Sequence, residues 1–371
     1  MIKTMRFISI LLGACNALAQ TDPQASPEVR PDGMITFRIL APAANEVAVR
    51  GEWMPGQTRA AMTRDDKGMW SVTLGPLKPQ VYFYTIMVDG VATIDMRNRH
   101  IKNGVRPNGS LVEVPANPPS PWAMRAVKHG AVHAHVYDSK TGGSQRRLLV
   151  YTPPGYDPRA KTRYPVLYLL HGSGDTESEW VETASANLIL DNLIADGKAK
   201  PMIVVMPNGH IAPAVPRTAS VEERMRNTTM FTNDLVTDIV PLVDGAYATV
   251  RARTGRAVAG LSMGGGQSLY AGLHHLDLFS SVLVYSSGAN KETFDRVYAP
   301  VLSNAPDVNK KLKLFWIGCG ENDTGALPAA ESLVEELKQR GVTHEFFKSG
   351  GGHQWLNWRE YLALTAPRLF R

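Results

Sequence analysis

The feature that most constrains the fold is a series of nearly continuous apolar runs in the last two thirds of the chain. Such runs are typical of strands that are buried on both faces of a parallel sheet. They are Val166–Leu170, Ile203–Met206, Ala257–Leu261, Val282–Tyr285 and Leu312–Ile317. Helical stretches separate them, and the clearest spans Pro328 to Arg340, with apolar residues on one face and Gly341 at its end. Strands that alternate with helices predict an α/β domain with a mostly parallel central sheet.

The first part of the chain has a different pattern. Short aromatic and β-branched runs alternate there with turn residues, without a long helical period. These runs are Ile35–Leu40, Glu46–Arg50, Trp70–Leu74, Tyr82–Val88 and Ser110–Val114. They predict a small all-β, immunoglobulin-like sandwich over residues 27–115. The Pro-rich segment 116–124 then predicts a stiff linker to a second domain over residues 125–371.

The N-terminus has the residue order of an export signal. Lys3 and Arg6 precede a short apolar core, and the run ALA at 17–19 offers a small-x-small cleavage site. We therefore expect residues 1–19 to be a signal peptide and the protein to be secreted or periplasmic. The run LGAC that ends at Cys15 also resembles a bacterial lipobox, which would make the protein a membrane-anchored lipoprotein.

Composition argues against several function classes. The formal net charge is +6 and the basic residues are scattered, so no nucleic-acid partner is predicted. Without Cys15 the mature chain keeps Cys319 alone, and we expect it to be a buried strand residue without a disulfide. No cluster of His and Cys has zinc spacing, so neither a metal nor another cofactor is predicted. The oligomeric state stays open.

A G-x-S-x-G motif carries the candidate nucleophile, Ser262. The motif GLSMG lies between the apolar run Ala257–Leu261 and the helical stretch Gly265–His274. A sharp strand-to-helix turn at this point needs small neighbours and lifts the serine hydroxyl clear of the sheet edge. It also places the hydroxyl beside a helix N-terminus, which favours developing negative charge.

A serine nucleophile needs a general base, and the base needs an orienting acid. In folds with this motif the acid and then the histidine follow the serine along the chain. His353 follows three glycines that allow a close backbone approach, so we predict it to be the base. Glu321 and Asp323 both qualify as the acid after the run Leu312–Ile317, and Asp323 is preferred because it directly precedes the turn into the next helix.

An oxyanion hole needs two backbone N–H groups. One is expected from Met263, directly after the nucleophile. The other is expected from Ser173, in the loop HGSG that follows Val166–Leu170. His171 begins this loop, and we expect it to pack and form hydrogen bonds rather than act as a base.

Several motifs together resemble the esterase D superfamily and, within it, carbohydrate esterase family 1. They occur in order over about residues 125–371 and read RLLVYTPPGYDP, LYLLHGSGDTESEW, VVMPNG, GLSMGG, FWIGCGENDTG and GGGHQWLNW. The resemblance implies an α/β-hydrolase fold with Ser262 as nucleophile, Asp323 as acid and His353 as base. It also implies that Ser173 and Met263 supply the backbone oxyanion donors.

Residues 27–115 resemble a family-48 carbohydrate-binding module. The runs that carry this resemblance are ITFRILAPAANEVAVRGEW, GMWSVTL and YFYTIMVDG. The paired tryptophans of starch-binding modules are not evident, so we expect Trp70 to be a core residue and leave Trp53 open. We predict that this part holds polymeric substrate and contributes nothing to bond cleavage. The alternative is that it packs on the hydrolase through Trp53 and Trp122 or forms a wall of its cleft.

The resemblance implies a secreted serine carboxylic-ester hydrolase, foremost a feruloyl esterase that acts on plant cell-wall xylan or a small ester. Acetylxylan esterase, siderophore esterase of the enterochelin type and mycolyltransferase-like activity are the enzymatic alternatives. A carbohydrate-binding protein with an inactive hydrolase domain is the alternative of a different class. Candidate walls of the substrate cleft are Trp180, Trp355 and the segment 208–230, which lacks periodicity and is expected to be a long loop.

Overall fold

The computed structural model describes residues 25–54, 56, 58–105, 109–216 and 218–371. The predicted signal peptide over residues 1–19, and with it Cys15, lies outside the described residues. Within the described part of the chain, every helix is too short or too polar to cross a bilayer.

The N-terminal part consists of two antiparallel sheets. Its strands are β1 (Glu28–Val29), β2 (Ile35–Leu40), β3 (Val47–Gly51), β4 (Ala60–Ala61), β5 (Thr63–Arg64), β6 (Met69–Leu74), β7 (Gln80–Val88), β8 (Val91–Thr93), β9 (Ile101–Lys102) and β10 (Gly109–Val114). One sheet has the order β1-β2-β6-β5 and the other the order β4-β3-β7-β10-β9, with β8 paired to β7. The predicted all-β sandwich is confirmed.

One buried cluster joins the two sheets of the sandwich. Every second residue of β2, from Ile35 to Ile39, lies in the same cluster as alternate residues of β3 and β7, as the two-residue period of a strand requires. Trp70 is a core residue, as predicted. Trp53 packs on this core too, because its ring stacks on Phe37 with ring centroids 5.8 Å apart and meets Tyr82 edge-on.

The C-terminal part is built on one mostly parallel sheet, as predicted for an α/β-hydrolase. Its strands are β11 (Ala131–Ser139), β12 (Ser144–Thr152), β13 (Val166–Leu170), β14 (Ile203–Pro207), β15 (Arg256–Leu261), β16 (Ser281–Tyr285), β17 (Leu314–Gly320) and β18 (Glu345–Ser349). The order is β11-β12-β14-β13-β15-β16-β17-β18. Strands β11 and β12 are antiparallel to their neighbours, and the pairs from β14 to β18 are parallel.

Helices connect the parallel strands, since parallel neighbours need a crossover. They are α1 (Glu179–Glu182), α2 (Ala186–Ala195), α3 (Val221–Asp234), α4 (Val240–Ala246), α5 (Met263–His274), α6 (Lys291–Thr293), α7 (Ala305–Lys311), α8 (Leu327–Gln339) and α9 (Trp355–Thr365). Turns of π-helix span Leu235–Ile239 and Phe294–Tyr298, and 3₁₀ turns span Arg253–Gly255 and Ala366–Arg368. Helix α8 lies within one residue of the helix predicted at Pro328–Arg340.

The central strands are buried on both faces, which explains their unbroken apolar sequences. In β13, Val166, Tyr168 and Leu170 belong to one hydrophobic cluster, and Leu167 and Leu169 belong to another. Successive side chains of a strand point to opposite faces, so each face of the sheet has its own core under its own helices. All five side chains are fully buried.

The strand order creates a crevice at the carboxyl ends of β13 and β15. These two strands are neighbours, yet β14, which lies between them in sequence, pairs on the other side of β13. The connections after β13 and β15 therefore leave the sheet in opposite directions. Ligand sites of open α/β sheets form at such a switch point, and the loops that begin at His171 and Ser262 start here.

The prediction of a long loop over residues 208–230 is wrong for its second half. Helix α3 begins after Ser220, whose hydroxyl accepts from the N–H of Glu223 while the Glu223 carboxylate accepts from the N–H of Ser220. This reciprocal capping box satisfies two N–H groups at the start of the helix. Among the described residues of this segment, the irregular ones are 208–216 and 218–220.

The segment between β10 and β11 contains the predicted linker over 116–124, and it packs against the C-terminal part. Trp122 is buried within a core cluster of that part. The side-chain amide of Asn192 on α2 donates to the carbonyls of Pro121 and Ala123. The Pro-rich composition thus accompanies a segment that is fixed by contacts.

Candidate active site

Ser262 sits on a strained turn between β15 and α5. Its backbone has φ 53° and ψ −115°, a conformation that residues other than glycine rarely adopt. The Ser262 N–H donates to the carbonyl of Tyr285 at 2.8 Å, which ties the turn to the neighbouring strand. This hydrogen bond and the close packing of the turn's glycines stabilise the strained conformation.

The two glycines of the motif are required by close backbone contacts. A Cβ atom at Gly264 would lie 2.5 Å from the His171 carbonyl oxygen and 2.6 Å from that of Leu170. A Cβ at Gly260 would collide with the carbonyl of Gly264. The expectation that the nucleophile needs small neighbours therefore has a specific cause, the approach of the loop after β13.

Ser262, His353 and Asp323 form one chain of hydrogen bonds. The Nε2 atom of His353 lies 3.0 Å from the Ser262 hydroxyl, and its Nδ1 lies 2.7 Å from Asp323 Oδ2. A carboxylate only accepts, so Nδ1 carries the proton and Nε2 is left to accept from the serine. The structure thus brings together the three residues that sequence reasoning selected, in the geometry of a nucleophile, a base and an orienting acid.

Asp323 is buried and held by several donors. Its Oδ1 accepts from the N–H of Ala326, and its Oδ2 also lies 3.8 Å from the Cys319 sulfur. Burial, with the nearby charge of Asp323, raises the pKa of the Cys319 thiol to about 12, so the thiol stays protonated as a donor. Cys319 is a buried strand residue, as predicted. Glu321, the alternative acid, is exposed to solvent.

The loop that carries His353 depends on a left-handed glycine and on α9. Gly351 has φ +78°, and a Cβ there would lie 2.6 Å from the Asn357 side-chain oxygen. Asn357 donates its amide to the Gly350 carbonyl at 2.7 Å. The imidazole of His353 meets the Trp358 ring edge-on, with centroids 5.0 Å apart. These contacts hold the base over the nucleophile.

The predicted oxyanion donors, Ser173 and Met263, lie on the loop after β13 and at the start of α5. Met263 is the first residue of α5, so its N–H has no partner within the helix. A Cβ at Gly172 would lie 3.5 Å from the Ser262 Cβ, which places the loop after β13 against the nucleophile. The roles of Ser173 and Met263 stay predictions.

Hydrogen bonds fix the peptide group that bears the Ser173 N–H. The Gly172 carbonyl accepts from the His171 ring at 2.8 Å and from the Asp175 N–H at 3.2 Å. Carbonyl and N–H of a trans peptide point in opposite directions, so the Ser173 N–H faces away from these donors. His171 Nε2 accepts from Gly209, and burial lowers the pKa of this imidazole to about 4. His171 is therefore a neutral structural residue, as expected.

Two cavities flank the nucleophile and the base. A cavity of ≈ 220 Å³ has aromatic walls from Phe83, Trp355 and Trp358 and also touches Ser173. A second, of ≈ 480 Å³, also touches Ser262 and His353, and its lining includes the polar residues Ser286, Ser287, Asn322 and Thr324. A substrate at Ser262 can thus place one group in each of the two cavities.

Of the two predicted tryptophan walls, Trp355 lines the aromatic cavity and Trp180 does not. Trp180 is 1% exposed, its indole N–H donates to the Leu170 carbonyl, and its ring meets Trp355 edge-on with centroids 5.3 Å apart. The prediction for Trp180 is wrong, because this tryptophan belongs to the hydrophobic core although it lies next to a functional loop. Its ring packs against Trp355, which lines the cavity.

Sequence reasoning missed the contribution of the N-terminal sandwich to this site. Glu52, Phe83 and Lys102 all line the aromatic cavity. No local pattern marks them, because the residues they meet are far away in sequence; Lys102 and its partner Asp175 are 73 positions apart. The alternative that the sandwich forms a wall of the cleft is the one that the structure matches.

Comparison with known proteins supports an esterase. The family model described as "Putative esterase" matches residues 139–369. An endo-1,4-beta-xylanase/feruloyl esterase from Xylanibacter ruminicola is 32% identical over 359 residues, which cover 94% of this chain and 46% of that protein. The chain spans about half the length of the first curated relatives it matches.

Solved structures share the fold. A ferulic acid esterase from Anaeromyces mucronatus, in complex with ferulic acid, is 25% identical with a TM-score of 0.59 and covers 67% of this chain and 93% of its own. An enterochelin esterase from Shigella flexneri is 18% identical with a TM-score of 0.67 and covers 95% and 96%. The latter likeness concerns the fold and extends over the N-terminal sandwich.

Proposed function

Because the chain belongs to the esterase family, we propose that it is a secreted feruloyl esterase that releases hydroxycinnamoyl groups from plant cell-wall xylan. The observation that carries this proposal is the aromatic cavity beside Ser262, with Phe83, Trp355 and Trp358 in its walls. Flat aromatic groups gain both burial and ring-ring contacts in such a cavity. The feruloyl esterase named among the relatives supports the same substrate class.

The acylation step follows from the hydrogen-bonded chain. Ser262 Oγ attacks the ester carbonyl while its proton passes to His353 Nε2, and Asp323 stabilises the resulting imidazolium. The oxyanion accepts hydrogen bonds from the N–H groups of Ser173 and Met263. The tetrahedral intermediate then collapses, and the alcohol leaves with the proton from His353.

Deacylation uses the same groups in the same order. Water attacks the acyl group on Ser262, and His353 Nε2 takes the water proton as general base. Collapse of the second intermediate returns that proton to Ser262 and releases the acid. No step in this cycle calls for a metal or another cofactor.

The two cavities support a placement for the two halves of the proposed ester. The hydroxycinnamoyl ring occupies the aromatic cavity, and the sugar occupies the polar cavity near Ser286 and Asn322. Hydroxyl and amide side chains form hydrogen bonds with sugar hydroxyls. The predicted signal peptide over residues 1–19 fits an enzyme whose polymeric substrate lies outside the cell.

A substrate panel tests this proposal. The purified protein is compared on methyl ferulate, 1-naphthyl acetate, acetylated xylan and enterobactin, with Ser262→Ala as the blank. We expect methyl ferulate to give the highest kcat/KM. A preference for acetylated xylan or for enterobactin would instead establish one of the alternative esterases.

A matched pair of variants tests the cavity itself. Phe83→Ala removes an aromatic wall, and we expect it to lower kcat/KM for methyl ferulate about twofold to twelvefold, since such ring contacts contribute about 0.5–1.5 kcal/mol. Hydrolysis of 1-naphthyl acetate should change less than that of methyl ferulate. Val88→Ala, on the same strand but outside the cavities that touch His353, should leave both rates unchanged. Equal effects of the two variants would contradict the assignment of the cavity.

A further inference from the structure

A short segment of the sandwich reaches across to the loop that carries Ser173. We call residues 102–105 the bridging segment and residues 171–175 the oxyanion loop. The Nζ atom of Lys102 donates to Asp175 Oδ1 at 2.5 Å and lies 3.8 Å from Glu179 Oε2. Asp175 is the last residue of the oxyanion loop, and Glu179 begins the helix that follows it.

Backbone hydrogen bonds reinforce this ion pair. The N–H of Val105 donates to the carbonyl of Gly174 at 2.8 Å. The N–H of Gly104 donates to Glu179 Oε1 at 2.6 Å. The bridging segment therefore contacts the oxyanion loop through main chain and side chain at once.

The contacts of the bridging segment affect the orientation of the Ser173 N–H, the predicted oxyanion donor. The Asp175 N–H donates to the Gly172 carbonyl, and that same peptide bears the Ser173 N–H. A shift of Asp175 would therefore turn the predicted oxyanion donor. A donor must lie within about 2.7–3.1 Å of the developing oxyanion, so a small displacement removes much of its effect.

The buried carboxylates of the oxyanion loop and of the helix after it need the positive charge of Lys102 to keep the loop in this conformation. Asp175 is 6% exposed and Glu179 is fully buried. Burial raises the pKa of the Asp175 carboxyl, and Lys102 is the largest opposing influence. Buried carboxylates are stable when paired, so without the lysine the loop would gain by moving toward solvent.

We propose that Lys102 of the sandwich is a positioning residue for ester hydrolysis, because it holds the oxyanion loop in place through Asp175. The sandwich then contributes to bond cleavage, contrary to the prediction from its sequence. This inference rests on the serine esterase chemistry of the proposed function and not on the identity of the acyl group.

The test uses the full chain and 4-nitrophenyl acetate, whose acetyl group is too small to fill the aromatic cavity. Lys102→Met should lower kcat about 10-fold to 100-fold with KM within about twofold, since misplacement of about 1 Å can cost that much. Lys102→Arg, which keeps the charge, should recover most of the rate. Asn103→Ala is the matched control, because Asn103 bonds Glu182 beyond the loop, and it should act like the wild type.

A second readout reports on the oxyanion site without turnover. Butylboronic acid forms a tetrahedral adduct with the nucleophile, and we expect Lys102→Met to weaken its binding by about the same factor as it lowers kcat/KM, as for any analogue of the transition state. The double variant Lys102→Met with Asp175→Asn should be no slower than the slower single variant, because the two residues act as one unit.

Several outcomes would overturn the inference. One is an unchanged kcat in a folded Lys102→Met protein, and another is an equal loss in Asn103→Ala, which would indicate a general effect of the interface. If Lys102→Met does not fold, Asp175→Asn alone decides, and an unchanged kcat and boronate affinity would refute the role. Failure of the proposed function would look different. The substrate panel would then favour another ester, while the effects of the Lys102 variants on kcat and on boronate binding would stay as expected.

Discussion

Replacement of Asp323 by asparagine tests the site most sharply, because the surrounding donors determine how the amide must lie. Asp323 Oδ1 accepts from the Ala326 N–H, and Oδ2 accepts from His353 Nδ1. If the asparagine oxygen keeps the bond to Ala326, its NH₂ group faces the imidazole. The histidine must then carry its proton on Nε2 and can no longer accept from Ser262. The reverse orientation would place NH₂ against the Ala326 N–H.

The expected loss is large. The corresponding change in trypsin-type proteases costs about 10⁴-fold in turnover, which is about 5 kcal/mol at 1.36 kcal/mol for each tenfold. Asp323 is 1% exposed, so water cannot replace the lost acceptor. We expect a loss of this order for Asp323→Asn, with the fold retained because the shape of the side chain is kept.

Initial rates on 4-nitrophenyl acetate at neutral pH, together with a thermal melt, measure this effect. Glu321→Gln is the matched control, since Glu321 follows the same strand but is exposed, and its kcat/KM should stay within about twofold of the wild type. Retention of more than a tenth of the activity by Asp323→Asn would refute the orienting role. A larger loss in Glu321→Gln would reverse the assignment of the two carboxylates.

Three further predictions concern the nucleophile and its neighbours. Ser262→Ala should lose up to about 10⁶-fold in turnover and all labelling by a fluorophosphonate probe, and substantial labelling elsewhere in the variant would contradict the assignment. Gly264→Ala should abolish activity or folding, whereas Gly266→Ala, where a Cβ meets only Ser287 at 3.6 Å, should be tolerated; equal melts and rates for both would refute the packing argument. His171 has its pKa lowered to about 4 by burial, so between pH 6.5 and 4 the unfolded chain binds more protons and the free energy of unfolding should fall by about 3 kcal/mol on acidification. Denaturant titrations should show a smaller fall in His171→Gln.

The sheet and the turn that carries Ser262 could be predicted because their signals are local. A strand buried on both faces, such as β13, has to be apolar throughout, so the apolar run shows where the strand begins and ends. The G-x-S-x-G motif is fixed by contacts of its own glycines with the adjacent loop. The preference for Asp323 over Glu321 also used only the position of each residue after β17.

The errors have physical causes that differ from one another. Helix α3 has a polar composition, so hydrophobic periodicity did not reveal it, although Ser220 and Glu223 have the spacing of a capping box. Trp180 could not be distinguished from a cleft wall, because burial depends on tertiary packing. The sequence around Lys102 gives no indication of its role, since its partner Asp175 follows 73 positions later.

Charge also links the two parts of the molecule on the side of α9. Arg359 is completely buried, and its guanidinium donates to the Thr183 carbonyl and lies 5.7 Å from the ring centre of Trp122. Burial lowers the pKa of Arg359 to about 10, and attraction to Glu52 and Glu113 of the sandwich opposes this effect. The charges of the sandwich thus influence a buried arginine of the hydrolase.

The bridging segment has the opposite polarity, with Lys102 on the sandwich and Asp175 on the hydrolase. The sandwich therefore supplies the countercharge of a buried carboxylate of the hydrolase. Breaking such a pair costs several kcal/mol, because it leaves a buried charge without a partner. The Pro-rich segment 116–124 consequently joins two parts that are also held together by the contacts of the bridging segment. The same arrangement places Lys102 at the loop of Ser173, so the stability of the interface and the geometry of the oxyanion site depend on the same contacts.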